Sequence, residues 1–232
     1  MNTFRFDASG AGVEEYSGVN WHTIAPPVML EALRRDDYVC QICGFTSTPR
    51  QPVPGMDPSR IKLGDEATGY MQISHINGNH SDNDIDNLLC VCPFCHLSDH
   101  PFQSILSGSA DLVFAPGMSQ FELNALAQVV HMVSDTHLHY EQAQAVHDII
   151  MRDSDNHLRS YVSDYPSGSR EDNQEKFCRA IMPYLTESTD NRHLVAPLRL
   201  FPKKLYFSEA IDYWLESTTL PVARDWKMAV YG

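Results

Sequence analysis

Two Cys-x-x-Cys pairs constrain this chain more than any other feature. The first is Cys40-Gln41-Ile42-Cys43 and the second Cys92-Pro93-Phe94-Cys95, followed at once by His96. Two such pairs supply four thiolates to one tetrahedral zinc ion. The stretch between them is rich in Gly, Pro and Asp and cannot build a core of its own. Metal binding is therefore expected to supply much of its folding free energy. Six cysteines, four of them in these pairs, fit a reducing compartment and a metal better than a disulfide framework. The metal ligands expected are Cys40, Cys43, Cys92 and Cys95, around a structural Zn²⁺.

Charge narrows the partners. The 232 residues carry a formal charge of −13, which opposes attraction to phosphate backbones. Between residues 40 and 100 three basic residues (Arg50, Arg60, Lys62) face seven acidic ones, so the segment is itself −4. A nucleic-acid reader carries the opposite sign, so nucleic acid is not the expected partner. No apolar run approaches about 18 residues, and membrane insertion is not expected. Met-Asn-Thr-Phe-Arg-Phe-Asp at the start lacks the pattern of a signal peptide. A cytoplasmic protein is expected.

In chain order, Phe4 and Phe6 alternate with polar neighbours and predict a short strand at Thr3–Phe6. Pro26 and Pro27 open a helix, Val28 to Arg35, with Val28, Leu30 and Leu33 on one face. Residues 49–60 read as a Pro-rich loop, Tyr70–Ile73 as a strand, and 77–84 as turns. A helical turn starts at Pro93. Ser107-Gly108-Ser109 reads as a linker and Leu112-Val113-Phe114 as a strand. Ser119-Gln120-Phe121-Glu122 matches a capping box, opening a helix to about Val133 whose apolar face is Phe121, Leu123, Leu126, Val129 and Val130. Tyr140 to Val162 reads as a longer helix that Asp153–Asn156 could bend or break. Ser169 or Asp172 caps a helix carrying Phe177, Ile181 and Leu185. Val195–Leu205 is extended, and Ser208 caps a helix over Glu209–Glu216. The fold class is α+β: an N-terminal strand and loop (1–27), a zinc-stapled unit (28–105) and a mainly helical part (106–232) packed on it.

A second pattern overlies the cysteines: His75-x11-Asn87-x8-His96. With the CxxC pairs and the approach Leu30–Val39, it resembles the HNH superfamily, in which two strands and a helix form a ββα site stapled by structural zinc. The resemblance implies roles for three residues in an active member. His75 would be the general base activating water against a phosphodiester, Asn87 its orienting partner, and His96 the holder of a catalytic Mg²⁺ or Mn²⁺. Such members often carry Asp or His before the first histidine as a second metal ligand. Here that residue is Ser74, a weak ligand for a hard cation, with Asp82, Asp84 or Asp86 as substitutes.

Cys40–Phe45, Asn87-Leu88 with the second CxxC, Leu112-Val113-Phe114 and Ser119–Leu126 together resemble the IcmJ/DotN family. Leu198–Pro202 and Ile211–Trp214 fit it more loosely. That resemblance implies an HNH-like zinc protein of type IVB secretion or conjugation machinery, a cytoplasmic partner that grips the C-terminal segment of the coupling ATPase. Two functions stand open: such an adaptor, or a metal-dependent HNH endonuclease cleaving DNA.

Other residues read as structural. His131, His137, His139, His147 and His157 have no fixed acidic or thiol partner and read as solvated or capping histidines. Cys90 should point to the opposite side of its strand from Cys92 and be a buried thiol, and Cys178 should be core. Phe207, Tyr213 and Trp214 read as helix packing, with partner anchoring as the alternative.

Overall fold

The computed structural model describes residues 24–50, 57, 59, 61–133, 139–161, 170, 173–179 and 197–217. The strand expected at Thr3–Phe6, the caps at Ser169 or Asp172, Ile181, Leu185, His137 and the tail beyond Pro221 lie outside the described residues. Helix α1 (Pro26–Arg35) starts on its two prolines and buries Met29, Leu30, Ala32 and Leu33. It ends in two residues with left-handed backbone, Asp37 and Tyr38 at φ of 52° and 53°. The Tyr38 N–H returns to the Leu33 carbonyl at 2.9 Å, and this reversal aims the chain at Cys40. The Arg35 guanidinium then grips the Asp36 carboxylate and the Leu88 carbonyl, at 2.7 and 2.6 Å.

Strands β1 (Gln72–His75) and β2 (Leu88–Val91) pair antiparallel, with Ile73 opposite Cys90 and His75 opposite Leu88. They lead into α2 (Pro93–His96), which completes a ββα unit. The strand expected at Tyr70–Ile73 sits two residues later, because Tyr70 has left-handed backbone and closes the preceding turn. Gly69 is required there: its φ is +62°, and a Cβ on it would meet the Ser47 Oγ at 2.6 Å.

Helix α3 (Pro101–Leu106) follows, then β3 (Ala110–Phe114), which pairs antiparallel with β4 (Leu198–Pro202), Leu112 opposite Leu200. Ser107-Gly108-Ser109 is not a linker. Gly108 has φ of +73°, and the buried Ser109 hydroxyl donates to the Ser104 carbonyl at 3.0 Å, so the stretch is a tight turn from helix to strand. Both faces of the two-stranded sheet are covered. Val113 and Phe201 enter the main core, while Ala110, Leu112, Leu198 and Leu200 enter a smaller one with Leu158 and Cys178. Its outer edges are closed by side-chain amides that imitate a further strand. Gln174 accepts from the Leu112 N–H at 2.9 Å and donates to its carbonyl at 3.1 Å. Gln120 does the same for Leu200, at 2.9 and 2.8 Å. Side-chain pairing of this kind satisfies edge groups that otherwise invite another chain.

Helix α4 (Gln120–Met132) opens on the expected capping box of Ser119 and Glu122. Its inward face differs from the apolar periodicity. Phe121 is 44% exposed, while Gln120, Asn124, Gln128 and His131 are buried beside Leu123 and Ala127. His131 is therefore neither solvated nor a cap: its Nε2–H donates to the Pro202 carbonyl at 2.7 Å. Helix α5 (Tyr140–Tyr161) runs unbroken through Asp153–Asn156. Ser154 turns inward, donating to the Ile150 carbonyl at 2.6 Å and accepting from the Phe114 N–H at 2.9 Å. Helix α6 (Ser208–Ser217) buries Trp214 completely. Its indole N–H donates to the Gly69 carbonyl at 3.0 Å, and the Tyr213 hydroxyl to the Thr48 carbonyl at 2.5 Å. One core thus contains α1, the cysteine segment, α4 and α6.

Truncating Trp214 to Ala should cost about 3–5 kcal/mol, as for other fully buried aromatics, read as a shifted urea midpoint at unchanged slope. Burial holds the His131 imidazole down at about 4 from 6.5, so the unfolded chain takes up its proton first as pH falls. The stability due to neutral His131 is complete above pH 6.5 and erodes toward pH 4. His131→Gln should therefore lose less stability than wild type between pH 7 and pH 5.

Candidate metal centre

The first cysteine pair is a backbone knuckle. The Gly44 N–H returns to the Cys40 carbonyl at 2.8 Å, and the Cys40 N–H reaches the Phe45 carbonyl at 2.7 Å. The turn closes at Gly44, whose φ of +76° suits a residue without Cβ. The Gln41 N–H bonds the Cys90 carbonyl at 2.9 Å, which docks this knuckle on β2. The second pair spans the entry to α2, where the Cys95 and His96 N–H groups both return to the Cys92 carbonyl at 3.0 Å.

These two knuckles bring the four sulfurs together, all within 4.8 Å of one another. Cys43 Sγ and Cys92 Sγ are 3.7 Å apart. A tetrahedral zinc with Zn–S of about 2.3 Å sets its sulfurs about 3.8 Å apart, so the spacing fits. Cys40, Cys92 and Cys95 are buried and Cys43 half-buried, and none of the six cysteines forms a disulfide. The four are positioned to hold a metal ion such as zinc. Among the described residues, no other group of three or more Cys, His, Asp or Glu is so close. Sulfur contacts from Cys43, Cys92 and Cys95 hold the Cys40 thiol well below its ordinary range, while burial pushes Cys92 up. A cation at the centre draws all four toward thiolate. Cys90 faces away, as expected, and burial pushes it above the ordinary thiol range.

The HNH residues lie on the neighbouring face. His75 ends β1, and its Nε2 is 3.0 Å from the Asn83 Oδ1. Asn87 ends the 3-10 turn Ile85–Asn87 just before β2 and holds the loop instead. Its Oδ1 accepts from the Asn77 N–H at 3.0 Å, and its Nδ2 donates to the Asp82 carbonyl at 2.8 Å. His75 is thus hydrogen-bonded by Asn83, while Asn87 braces the turn. Asp82 and Asp84 are occupied by the same loop, Asp82 with the Asn77 amide and Asp84 with the Asp86 N–H. The Ser74 hydroxyl donates to Asp99 at 2.5 Å.

His96 is linked to His75 through two histidines the sequence motif does not name. The ring centroids of His75 and His80 are 5.0 Å apart, of His80 and His100 5.1 Å, and of His100 and His96 5.2 Å. Burial holds His96 and His100 at about 4, so both are neutral at pH 7 and able to ligate. His96 ends α2 and His100 follows the tight turn Leu97–Asp99, which folds the second ring back toward the first. His80 and Asp99 had no signal in the sequence, since long-range packing brings them in.

Residues 61–92 match an HNH endonuclease family, a span that holds β1, β2 and the loop between them. The cysteine-stapled ββα unit is accordingly an HNH-like domain in an α+β chain. Over 196 residues the chain is 24% identical to the type 4 apparatus protein DotN of Legionella pneumophila, covering 82% of this chain and 78% of that protein. The resemblance to IcmJ/DotN-like HNH zinc proteins is supported on both counts. No helix among the described residues is long and apolar enough to cross a membrane.

Free metal at about 1,000 times its dissociation constant stabilises a fold by about 4 kcal/mol. At about 3 °C per kcal/mol for a chain of this size, chelation should lower the melting temperature by about 10 °C. Cys92→Ser should melt at the chelated temperature, with or without chelator.

Proposed function

We propose that this chain is a zinc-stapled, HNH-like adaptor of a type IV secretion or conjugation coupling complex, acting in the cytoplasm on the C-terminal segment of the coupling ATPase. The observation that carries this reading is likeness to DotN along most of the chain. In it, Cys40, Cys43, Cys92 and Cys95 hold a structural Zn²⁺. Residues 28–105 form the zinc unit, and the helices after residue 119 receive an amphipathic partner segment. The charge of −13 suits a protein partner better than nucleic acid.

Exposed apolar side chains give the partner its anchors. Leu205 is 87% exposed and Tyr206 57%, both in the turn between β4 and α6. Large apolar side chains this open contribute little to folding and are the kind that carry interface energy. Mixing the full chain with the C-terminal segment of a coupling ATPase from the same organism should give a co-eluting complex. Leu205→Ala and Tyr206→Ala should each weaken it about tenfold, by more than 1 kcal/mol, with the melting temperature unchanged. Absence of any complex would overturn the adaptor.

The endonuclease reading keeps one observation in its favour: the match to an HNH endonuclease family over a stretch holding His75 and Asn87, with His96 just beyond it. In that reading His75 activates water and His96 holds Mg²⁺ or Mn²⁺. Against it stand Ser74 in place of an acidic ligand and aspartates committed to loop bonds. Supercoiled plasmid incubated with the protein and Mg²⁺ or Mn²⁺ should stay intact. Nicking that His75→Ala abolishes would establish the enzyme instead.

A further inference from the structure

Helix α4 turns a polar stripe toward the metal centre. Gln120, Asn124 and Gln128 recur every four residues, and all three are buried. Carboxamides in such a place cost free energy unless their hydrogen bonds are made. Gln120 spends both ends of its amide on Leu200 of β4. Its Nε2 also donates to the Asn124 Oδ1 at 2.8 Å. That bond fixes which way the Asn124 amide faces, because only its oxygen can accept. Its Nδ2 then lies 3.5 Å from the Cys95 Sγ. One turn on, the Gln128 Nε2 is 3.2 Å from the Cys92 Sγ and 3.7 Å from the Cys43 Sγ.

We propose that Asn124 and Gln128 are part of the metal centre: their amides donate to Cys95, Cys92 and Cys43, draw charge from the sulfurs and slow the ion's release. This rests on the four-cysteine reading above. Four thiolates on a divalent ion leave two negative charges in a buried place, where donated hydrogen bonds are strong and their absence costly. Outer partners of metal ligands commonly change affinity by about 10–100-fold. The donors come from the helical part of the chain, not from the segment holding the cysteines. How firmly the ion is held is thereby set across the boundary between the two, and Gln120 extends the same chain of bonds to β4.

The test uses the full chain with Co²⁺ exchanged into the centre and three variants: Asn124→Leu, Gln128→Leu and Gln128→Glu. The readouts are the sulfur-to-cobalt charge-transfer band and the rate of cobalt transfer to EDTA. Losing an N–H donor raises the sulfur electrons in energy, so the band should move to longer wavelength in both Leu variants, and transfer should quicken at least about tenfold. Gln128→Glu keeps the shape but sets a carboxylate against the sulfurs, and should release cobalt fastest. It also serves if the Leu variants do not fold. A purely structural role would leave the band of the folded protein where it is. Wild-type band and rate in the variants would overturn the proposal while leaving the cysteine centre standing. A wild-type chain with no charge-transfer band at all would overturn the centre and this proposal together.

Discussion

Four sulfurs converging at one point are the constraint on which the rest of this structure depends. The first pair follows the reversal that ends α1, and the second opens α2. Holding them together closes a long, turn-rich stretch that has little apolar material of its own. Once closed, the stretch offers Ile73, Leu88, Val91 and Phe94 to a core that α1, α4 and α6 complete. A two-stranded ribbon such as β1–β2 is marginal in water by itself. Here it is held by the knuckles and roofed by helices, so an ion bound at the four sulfurs would stabilise the same element as the core.

The second half of the chain answers that centre with polar side chains. Both outer edges of β3–β4 are finished by glutamine amides, and α4 spends its remaining inward amides on the sulfurs. The histidine-bearing face next door is built differently. Asp82, Asp84 and Asn87 are engaged in holding the turn, and the histidine rings stand in a row from His75 to His96. The likeness to the type 4 apparatus protein DotN extends over most of the chain, well beyond this HNH-like skeleton.

Much of the fold was legible because its signals were local. The CxxC spacing, the Ser119–Glu122 capping box, and the prolines opening α1 and α2 each act within a few residues, and each lies where expected. Cys90 and Trp214 followed from alternation and helical spacing. The misreadings share one cause, that partners distant in sequence override local preference. Asp153–Asn156 looks like a helix breaker until the Phe114 N–H takes up the Ser154 hydroxyl. Phe121 looks like core until the metal centre and β4 claim the α4 face for Gln120, Asn124 and Gln128. Ser107–Ser109 looks like a linker until Ser109 turns back on α3. In the site, His75, Asn87 and His96 were readable as a pattern. Asn83, His80 and Asp99 were not, because the folded loop brings the first two beside His75 and the packing of the turn after α2 on β1 brings Asp99 to Ser74.

The measurement that bears most directly on the four-sulfur centre is X-ray absorption at the zinc edge of the freshly isolated full chain. A single shell of four sulfurs at about 2.3 Å with no nitrogen is the expected result. A shell containing imidazole nitrogen, or protein with no zinc to measure, would contradict it.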